Sequence, residues 1–228
     1  MVTAIFPAAG SSTRMKSDVN KNFLQLGGAA ILLRTLKTFS RVERVSNLIV
    51  VVGANEVQTV EKLLRGADGL KPWRVTVGGS ERQFSIANGL KLLTDDAEII
   101  LVHDAARPLI TTQTINAVID AAEIFGGAIV AVPAKDTVKV IDAEGFVRCT
   151  PPRSELVLVQ TPQGFRRKIL LDAYARAAAE NFLGTDDACL VERIGARVKV
   201  VTGTYDNIKV TTPEDLDIAE TFLRRRNS

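Results

Sequence analysis

The chain has 228 residues, 46% of them hydrophobic and 24% charged, which supplies a sizeable core and excludes disorder as the default state. Its formal net charge of +3 argues against a nucleic-acid surface, which normally shows a basic stripe, and suits a small anionic ligand held by a few placed cations. One histidine and two cysteines exclude most multi-histidine metal chemistry and a disulfide scaffold.

The N-terminus enters a strand-like run directly, and no apolar run reaches the roughly 18 residues of a membrane span. Two lone thiols, Cys149 and Cys189, fit a reducing compartment. A cytoplasmic protein without membrane or nucleic-acid partners is therefore expected.

Short apolar runs alternate with segments of helical period, which predicts an α/β fold with a mostly parallel sheet. In chain order the spacing predicts a strand over 3–7, a helix over 29–39, a strand over 48–52 and a helix over 56–64. A strand over 74–77, a helix over 82–93, a strand over 98–102 and a helix over 112–125 follow. The remainder reads as a strand over 127–132, helices over 166–180 and 186–194, and a strand over 197–202. Thr212, Pro213 and Asp215 then open a last helix as a short-acid capping box. Leu216, Ala219, Phe222 and Leu223 give that helix an apolar face, and Arg224-Arg225-Arg226 suits its C-terminal turn. No linker divides the chain, so residues 1–228 are expected to form a single domain. Residues 136–149 break the rhythm as two short strands around Asp142-Ala-Glu-Gly145. A hairpin so placed has little core to pack against and is marginal alone, so it reads as a lid or as an arm toward another subunit.

The chemistry collects after strand ends, where open α/β sheets bind ligands. Pro7-Ala8-Ala9-Gly10-Ser11-Ser12-Thr13-Arg14-Met15 joins small residues, whose amides can form an anion nest, to Arg14, with Lys21 seven positions on. It suits a triphosphate clamp, with a tight βα turn bearing surface cations as the plainer alternative. Gly78-Gly79-Ser80-Glu81-Arg82-Gln83-Phe84-Ser85 is a second small-residue turn, either a ligand site or a capped helix start. His103-Asp104-Ala105-Ala106-Arg107-Pro108 places an Asp that can hold a ribose hydroxyl or Mg²⁺ and an Arg that can take phosphate; a self-satisfied Asp–Arg pair is the plainer reading. His103 itself reads as structural. The segments around Gln160-Thr161-Pro162-Gln163-Gly164-Phe165, Thr185-Asp186-Asp187-Ala188 and Asp206-Asn207-Ile208-Lys209 read as turns or caps, with Thr185 a candidate helix N-cap.

Taken in order, PAAGSSTRM, NKNFL, GGSERQFS, LVHDAARP, QTPQGF, GTDDA and DNIKVTTPEDL resemble the 2-C-methyl-D-erythritol 4-phosphate cytidylyltransferases, over essentially the whole chain. The resemblance implies a Rossmann-like sheet of the nucleotide-diphospho-sugar transferase type and a Mg²⁺-dependent reaction of CTP with an alcohol phosphate in isoprenoid precursor synthesis. Arg14 and Lys21 would stabilise the pentacoordinate transition state. Ala8, Ala9 and Gly10 would hold CTP through their backbone, and Gly79 and Ser85 would meet the cytosine. Asp104, Ala105 and Arg107 would lie where nucleotide and alcohol meet, with Asp104 a candidate metal ligand. Lys209, Thr161 and Thr185 would serve the alcohol phosphate. The resemblance also implies a homodimer exchanging the β-arm at 136–155, which would bring Thr137 and Arg153 into the partner's site.

Three positions depart from the family's common form: Asn20-Lys21-Asn22 replaces Pro-Lys-Gln, Ser12 stands where glycine is frequent, and Cys189 where serine or alanine is. None removes a charge the chemistry needs. A ribitol 5-phosphate cytidylyltransferase is the nearest rival, disfavoured by Ala106 and Ser85. A catalytically silent nucleotide-binding relative is disfavoured by the retention of Arg14 and Lys21.

Overall fold

The computed structural model describes residues 1–10 and 20–227. The chain opens with β1 (Val2–Pro7), a 3-10 turn at Lys21–Phe23, the two-residue strands β2 (Gln25–Leu26) and β3 (Ala29–Ala30), and α1 (Ile31–Ser40). It continues through β4 (Val45–Val52), α2 (Val57–Arg65), β5 (Trp73–Val77), α3 (Arg82–Leu90), β6 (Ile99–Val102), α4 (Thr112–Phe125) and β7 (Gly127–Pro133). The hairpin β8 (Val140–Ile141) and β9 (Val147–Cys149) precedes β10 (Val157–Arg166), α5 (Arg167–Ala179), α6 (Asp187–Arg193), β11 (Lys199–Thr202) and α7 (Pro213–Asn227).

Seven strands form one sheet in the order β11-β7-β10-β6-β1-β4-β5. All neighbours run parallel except β10, which is antiparallel to both β6 and β7. Side-chain alternation explains why helices cover both faces. Ala4 and Phe6 of β1, Leu48, Val50 and Val52 of β4, and Leu101 of β6 join one core with residues of α1, α2 and α4. Their neighbours Ile5, Ile49, Val51, Ile100 and Val102 join the opposite core with residues of α3, α5 and α6. Each fully buried Leu or Ile adds about 1.5–3 kcal/mol of apolar burial, so these strands anchor the fold.

Most predicted elements are found within a few residues of their expected bounds. Helix α1 starts two residues late because Ala29–Ala30 pairs with Gln25–Leu26. The helix expected over 82–93 stops at Leu90. Helix α7 opens as read: the backbone N–H groups of Thr211 and Thr212 both donate to Asp215 Oδ2, and Thr212 Oγ1 accepts from Asp215 N. Ala219 and Leu223 are buried in a third core, with Leu216 and Phe222 packed against it, and Arg226 pairs with Asp206.

Strand β10 corrects the sequence reading. Residues 160–165 are not a turn or cap but part of a ten-residue strand inside the sheet, between β7 and β6. Thr185 is also not the cap of α6; the Asp186 side chain takes that role, accepting from Cys189 N at 2.9 Å. The hairpin lies where expected, with Ile141, Phe146 and Val147 all more than half exposed.

Candidate active site

Strand order changes direction at β1 and β6: β4 and β5 extend from one side of β1, and β6 flanks the other. Ligands in open α/β sheets bind beyond the strand ends at such a point. A cleft of about 400 Å³ lies there, lined by Pro7 to Gly10 after β1, Lys21 and Asn22, Gly79 to Arg82 with Ser85, Asp104 to Ala106, and Lys209.

The first wall is the loop after β1. Ala8 N donates to Val51 O at 2.7 Å, which seats the loop's start on the sheet. Asn20 caps the 3-10 turn that carries Lys21: its Oδ1 accepts from Asn22 N at 3.1 Å and Asn22 Nδ2 at 3.0 Å. Its Nδ2 donates to Glu56 Oε1 at 2.7 Å and to Gly10 O at 3.4 Å. Asn22 Nδ2 also reaches Ala8 O at 3.1 Å. The Asn20 φ of −58° is a value proline holds by its ring. Asparagine here keeps the same turn through side-chain bonds, which accounts for the departure from the Pro-Lys-Gln form. Arg14 and Ser12 lie outside the described residues.

The second wall is the turn between β5 and α3. Gly78 packs so closely that a Cβ on it would come within 2.5 Å of Ala9 Cβ and 2.8 Å of Ser85 Oγ. No larger residue fits without parting the two walls. Buried Ser85 accepts the Gly79 N–H at 3.1 Å and donates to Glu81 O at 3.1 Å, so its hydroxyl fixes the turn.

The floor is the segment after β6, and its backbone groups are tied down one by one. Thr35 Oγ1 donates to Ala105 O at 2.8 Å, and Val210 N to Ala106 O at 2.8 Å. Asp104 N donates to Thr161 Oγ1 at 3.0 Å. Thr161 also bonds His103 Nδ1 at 3.0 Å, while His103 Nε2 faces Arg107 O at 3.2 Å. A carbonyl only accepts, so the proton sits on Nε2 and Nδ1 accepts from Thr161. His103 is fully buried, which lowers its pKa to about 3 and keeps the ring neutral, despite the opposing charge of Asp104. It is a structural residue, as the sequence suggested.

Asp104 holds the electrostatic centre. Its Oδ2 lies 2.9 Å from Lys209 Nζ and 3.7 Å from Arg107 Nε, and its Oδ1 lies 3.2 Å from Arg82 Nε. Burial by itself raises a carboxylate pKa; the charges of Arg82, Lys209 and Arg107 outweigh it and hold Asp104 far below the usual range. Arg107 is braced by its Nη1 bond to Asn207 O at 2.8 Å. That bond and the Val210–Ala106 bond fix the segment carrying Lys209.

The cleft thus gathers Ala8, Ala9, Gly10, Lys21, Gly79, Ser85, Asp104, Ala105 and Lys209. Arg107 and Thr161 stand behind it, bonded to its floor. Thr185 is exposed on the loop before α6, and Thr137 and Arg153 are exposed on the arm, where Arg153 Nη1 donates to Lys135 O at 2.9 Å. Within one chain these three do not line the cleft.

The family model described as IspD, 2-C-methyl-D-erythritol 4-phosphate cytidylyltransferase, matches residues 2–225. The chain belongs to this cytidylyltransferase family. A cytidylyltransferase of that name from Caldanaerobacter subterraneus subsp. tengcongensis is 44% identical, the match covering 98% of this chain and 99% of that protein. One from Bacillus cereus is 48% identical, covering 98% of each. The crystal structure of 4-diphosphocytidyl-2C-methyl-D-erythritol synthase from Anaerococcus prevotii superposes with a TM-score of 0.88 at 35% identity, covering 98% of this chain and 96% of that one.

Against the cytidylyltransferase motifs, sequence reasoning passed over three residues that the geometry joins to the floor. Arg82 Nη1 lies 2.9 Å from Asp187 Oδ2, and Tyr174 OH donates to Asp187 Oδ1 at 2.6 Å. Arg82 and Asp187 lay inside quoted motifs, so a charge of each sign was visible; their pairing across 105 positions was not.

Proposed function

We propose that the chain transfers the cytidylyl group of CTP to the phosphate of 2-C-methyl-D-erythritol 4-phosphate, giving 4-diphosphocytidyl-2-C-methyl-D-erythritol and pyrophosphate, a step in isoprenoid precursor synthesis. The observation that carries this reading is one cleft at the sheet's switch point that puts a small-residue loop, Lys21, a glycine turn, and the Asp104–Lys209 pair around a single space. Family membership supports it independently.

The roles follow from the walls. The backbone of Ala8, Ala9 and Gly10 faces the triphosphate, and the Gly79–Ser85 turn takes the base. Lys209, with Arg107 behind it, holds the phosphate of the alcohol so that its oxygen approaches the α-phosphorus. The new P–O bond forms as the bond to the β-phosphate breaks, and pyrophosphate leaves. Lys21, together with Arg14, neutralises the charge spread over the pentacoordinate phosphorus, where fixed cations act most strongly. Thr161 positions Asp104 through its backbone amide, and Thr185 stands at the outer margin of the alcohol side.

A magnesium ion bound with the nucleotide would screen the charge of the triphosphate and stabilise the leaving pyrophosphate. Both oxygens of Asp104 already face cations, and the described residues hold no cluster of three or more metal-ligating acidic, His or Cys side chains. Such an ion would be held chiefly by the nucleotide's own phosphate oxygens and water, as this cation commonly is, with Asp104 the candidate protein ligand.

The exposed apolar residues of the hairpin, Ile141, Phe146 and Val147, with Leu158 and Val159 at the adjoining start of β10, support a homodimer in which the arm, residues 136–155, crosses to a partner and delivers Thr137 and Arg153 to its alcohol site. No helix of the described residues is long and apolar enough to cross a membrane, and both cysteines are free thiols, in keeping with a cytoplasmic enzyme. The test is a pyrophosphate-release assay offering CTP or UTP with methylerythritol phosphate or ribitol phosphate. Only CTP with methylerythritol phosphate is expected to turn over efficiently. Comparable turnover with UTP rejects the base assignment, and preference for ribitol phosphate rejects the alcohol.

A further inference from the structure

We infer that Arg82 is the positioning residue for Asp104, and that Asp187 and Tyr174 lock it in place from outside the cleft. The inference deepens the proposed reaction and rests on it. Arg82 opens α3 directly after the glycine turn, so the wall assigned to the base and this guanidinium share one rigid stretch of backbone. The side chain bridges two carboxylates from distant segments, Nε to Asp104 Oδ1 at 3.2 Å and Nη1 to Asp187 Oδ2 at 2.9 Å. A planar fork holds the two carboxylates through separate nitrogens at a fixed spacing, which an ammonium at the end of a flexible stem does not reproduce.

Asp187 is the informative partner. It is 1% exposed, and its two oxygens are taken by Arg82 and by the Tyr174 hydroxyl. Burying a carboxylate is costly, and an apolar residue would serve packing better. Its contacts serve a different end: they fix the direction in which Arg82 points.

That direction decides how Asp104 presents itself. With Oδ1 held by Arg82, Oδ2 is left to Lys209 and Arg107. Without Arg82 the carboxylate is free to turn both oxygens toward the other two cations. Lys209 is then held more tightly by its own protein and is less available to the incoming phosphate. The consequence falls on the alcohol phosphate and on turnover, and CTP is affected less.

The experiment compares Arg82→Lys, Asp187→Asn, Tyr174→Phe and the Arg82→Lys/Asp187→Asn double variant in the full chain, with both substrates varied. Loss of one charged hydrogen bond predicts that Arg82→Lys and Asp187→Asn raise the KM for methylerythritol phosphate roughly tenfold and lower kcat, while the KM for CTP stays within about threefold. The double variant is expected to be no worse than Arg82→Lys, because Asp187 acts through Arg82. Tyr174→Phe, which deletes one hydroxyl and keeps the ring, is expected to shift the same constant less. If CTP suffers as much as the alcohol phosphate, Arg82 binds the nucleotide directly and the inference fails. It fails equally if folded variants lose only thermal stability and keep both KM values. Absence of wild-type turnover rejects the proposed reaction instead. A crystal structure of Asp187→Asn then decides the brace, which is overturned if Arg82 still holds Asp104 Oδ1 unchanged.

Discussion

Lys209 Nζ lies 2.9 Å from Oδ2 of Asp104, on a carboxylate that two arginines also approach. The pair holds the lysine at the floor of the cleft, where it is proposed to meet the phosphate of the alcohol. Replacing Lys209 with Ala leaves Asp104 paired with Arg82 and Arg107, so the fold is expected to survive. The expected loss is in kcat/KM for methylerythritol phosphate, about a hundred- to a thousandfold, as for removal of one preorganised charge from a phosphoryl-transfer site. Steady-state kinetics with each substrate varied checks this; an equal loss in CTP affinity assigns Lys209 to the nucleotide instead.

Lys21 sits on the 3-10 turn that Asn20 caps and that Glu56 anchors through Asn20. A cation acting on charge that develops in the transition state affects rate more than ground-state binding. Lys21→Ala is expected to lower kcat by about two to three powers of ten and to change the Kd for CTP far less. Arg14→Ala is expected to behave alike. Asn20→Asp tests the support: it keeps the cap acceptor and sets a carboxylate against Glu56. A fall in kcat with lysine present shows that the turn's position matters as well as its charge, and unchanged kcat removes Asn20 from the argument.

His103 gives the fold a pH dependence of known sign. Its folded pKa of about 3 lies below the ordinary 6.5, so between those values the unfolded chain binds a proton that the folded chain refuses. Stability is therefore full above the ordinary value and is lost as pH falls toward the folded one. Between about pH 7 and pH 5 the expected loss is about 2 kcal/mol. Urea unfolding at several pH values measures it. His103→Gln should flatten that slope, and an equally steep slope in the variant would place its origin elsewhere.

The parallel strands were legible because they are short apolar runs, β6 and the second half of β4 being unbroken Val, Ile and Leu, with helices over both faces. Strand β10 was not, for a physical reason. Its centre, Gln160 to Gly164, is polar and contains a proline and a glycine, the marks of a turn. Burial is tolerated because each polar group finds a partner: Gln160 Nε2 donates to Thr204 O, Gln163 Nε2 to Asp186 Oδ2, and Ala188 N to Gln163 Oε1. The proline lies where the ladder register shifts between Val159 and Gln163. Gly164 is required because a Cβ would come within 2.7 Å of Val118 on α4. The site was legible as motifs, and the order of Lys21, Asp104 and Lys209 carried over. What joins the motifs, Arg82 to Asp187 to Tyr174, depends on which helices meet, and no local pattern states that.

Arg153 and Lys209 supply the last prediction, because within one chain the first lies on the exposed arm and the second lines the cleft. If the arm crosses to a partner, each pocket takes its Lys209 from one chain and its Arg153 from the other. Arginine suits the crossing role, since its fork can grip a phosphate through two parallel hydrogen bonds. Arg153→Ala and Lys209→Ala chains are each expected to be nearly inactive. In a mixed dimer, one pocket has both cations intact and the other has neither. Statistical mixing makes half the dimers mixed, and half the pockets in those are intact, so activity should return to about a quarter of wild type. Differently tagged chains and mass spectrometry establish that subunits exchange. If mixed dimers form and activity stays at the level of the single variants, the shared-site assignment falls, and Arg153 acts within its own chain or has no part in the reaction.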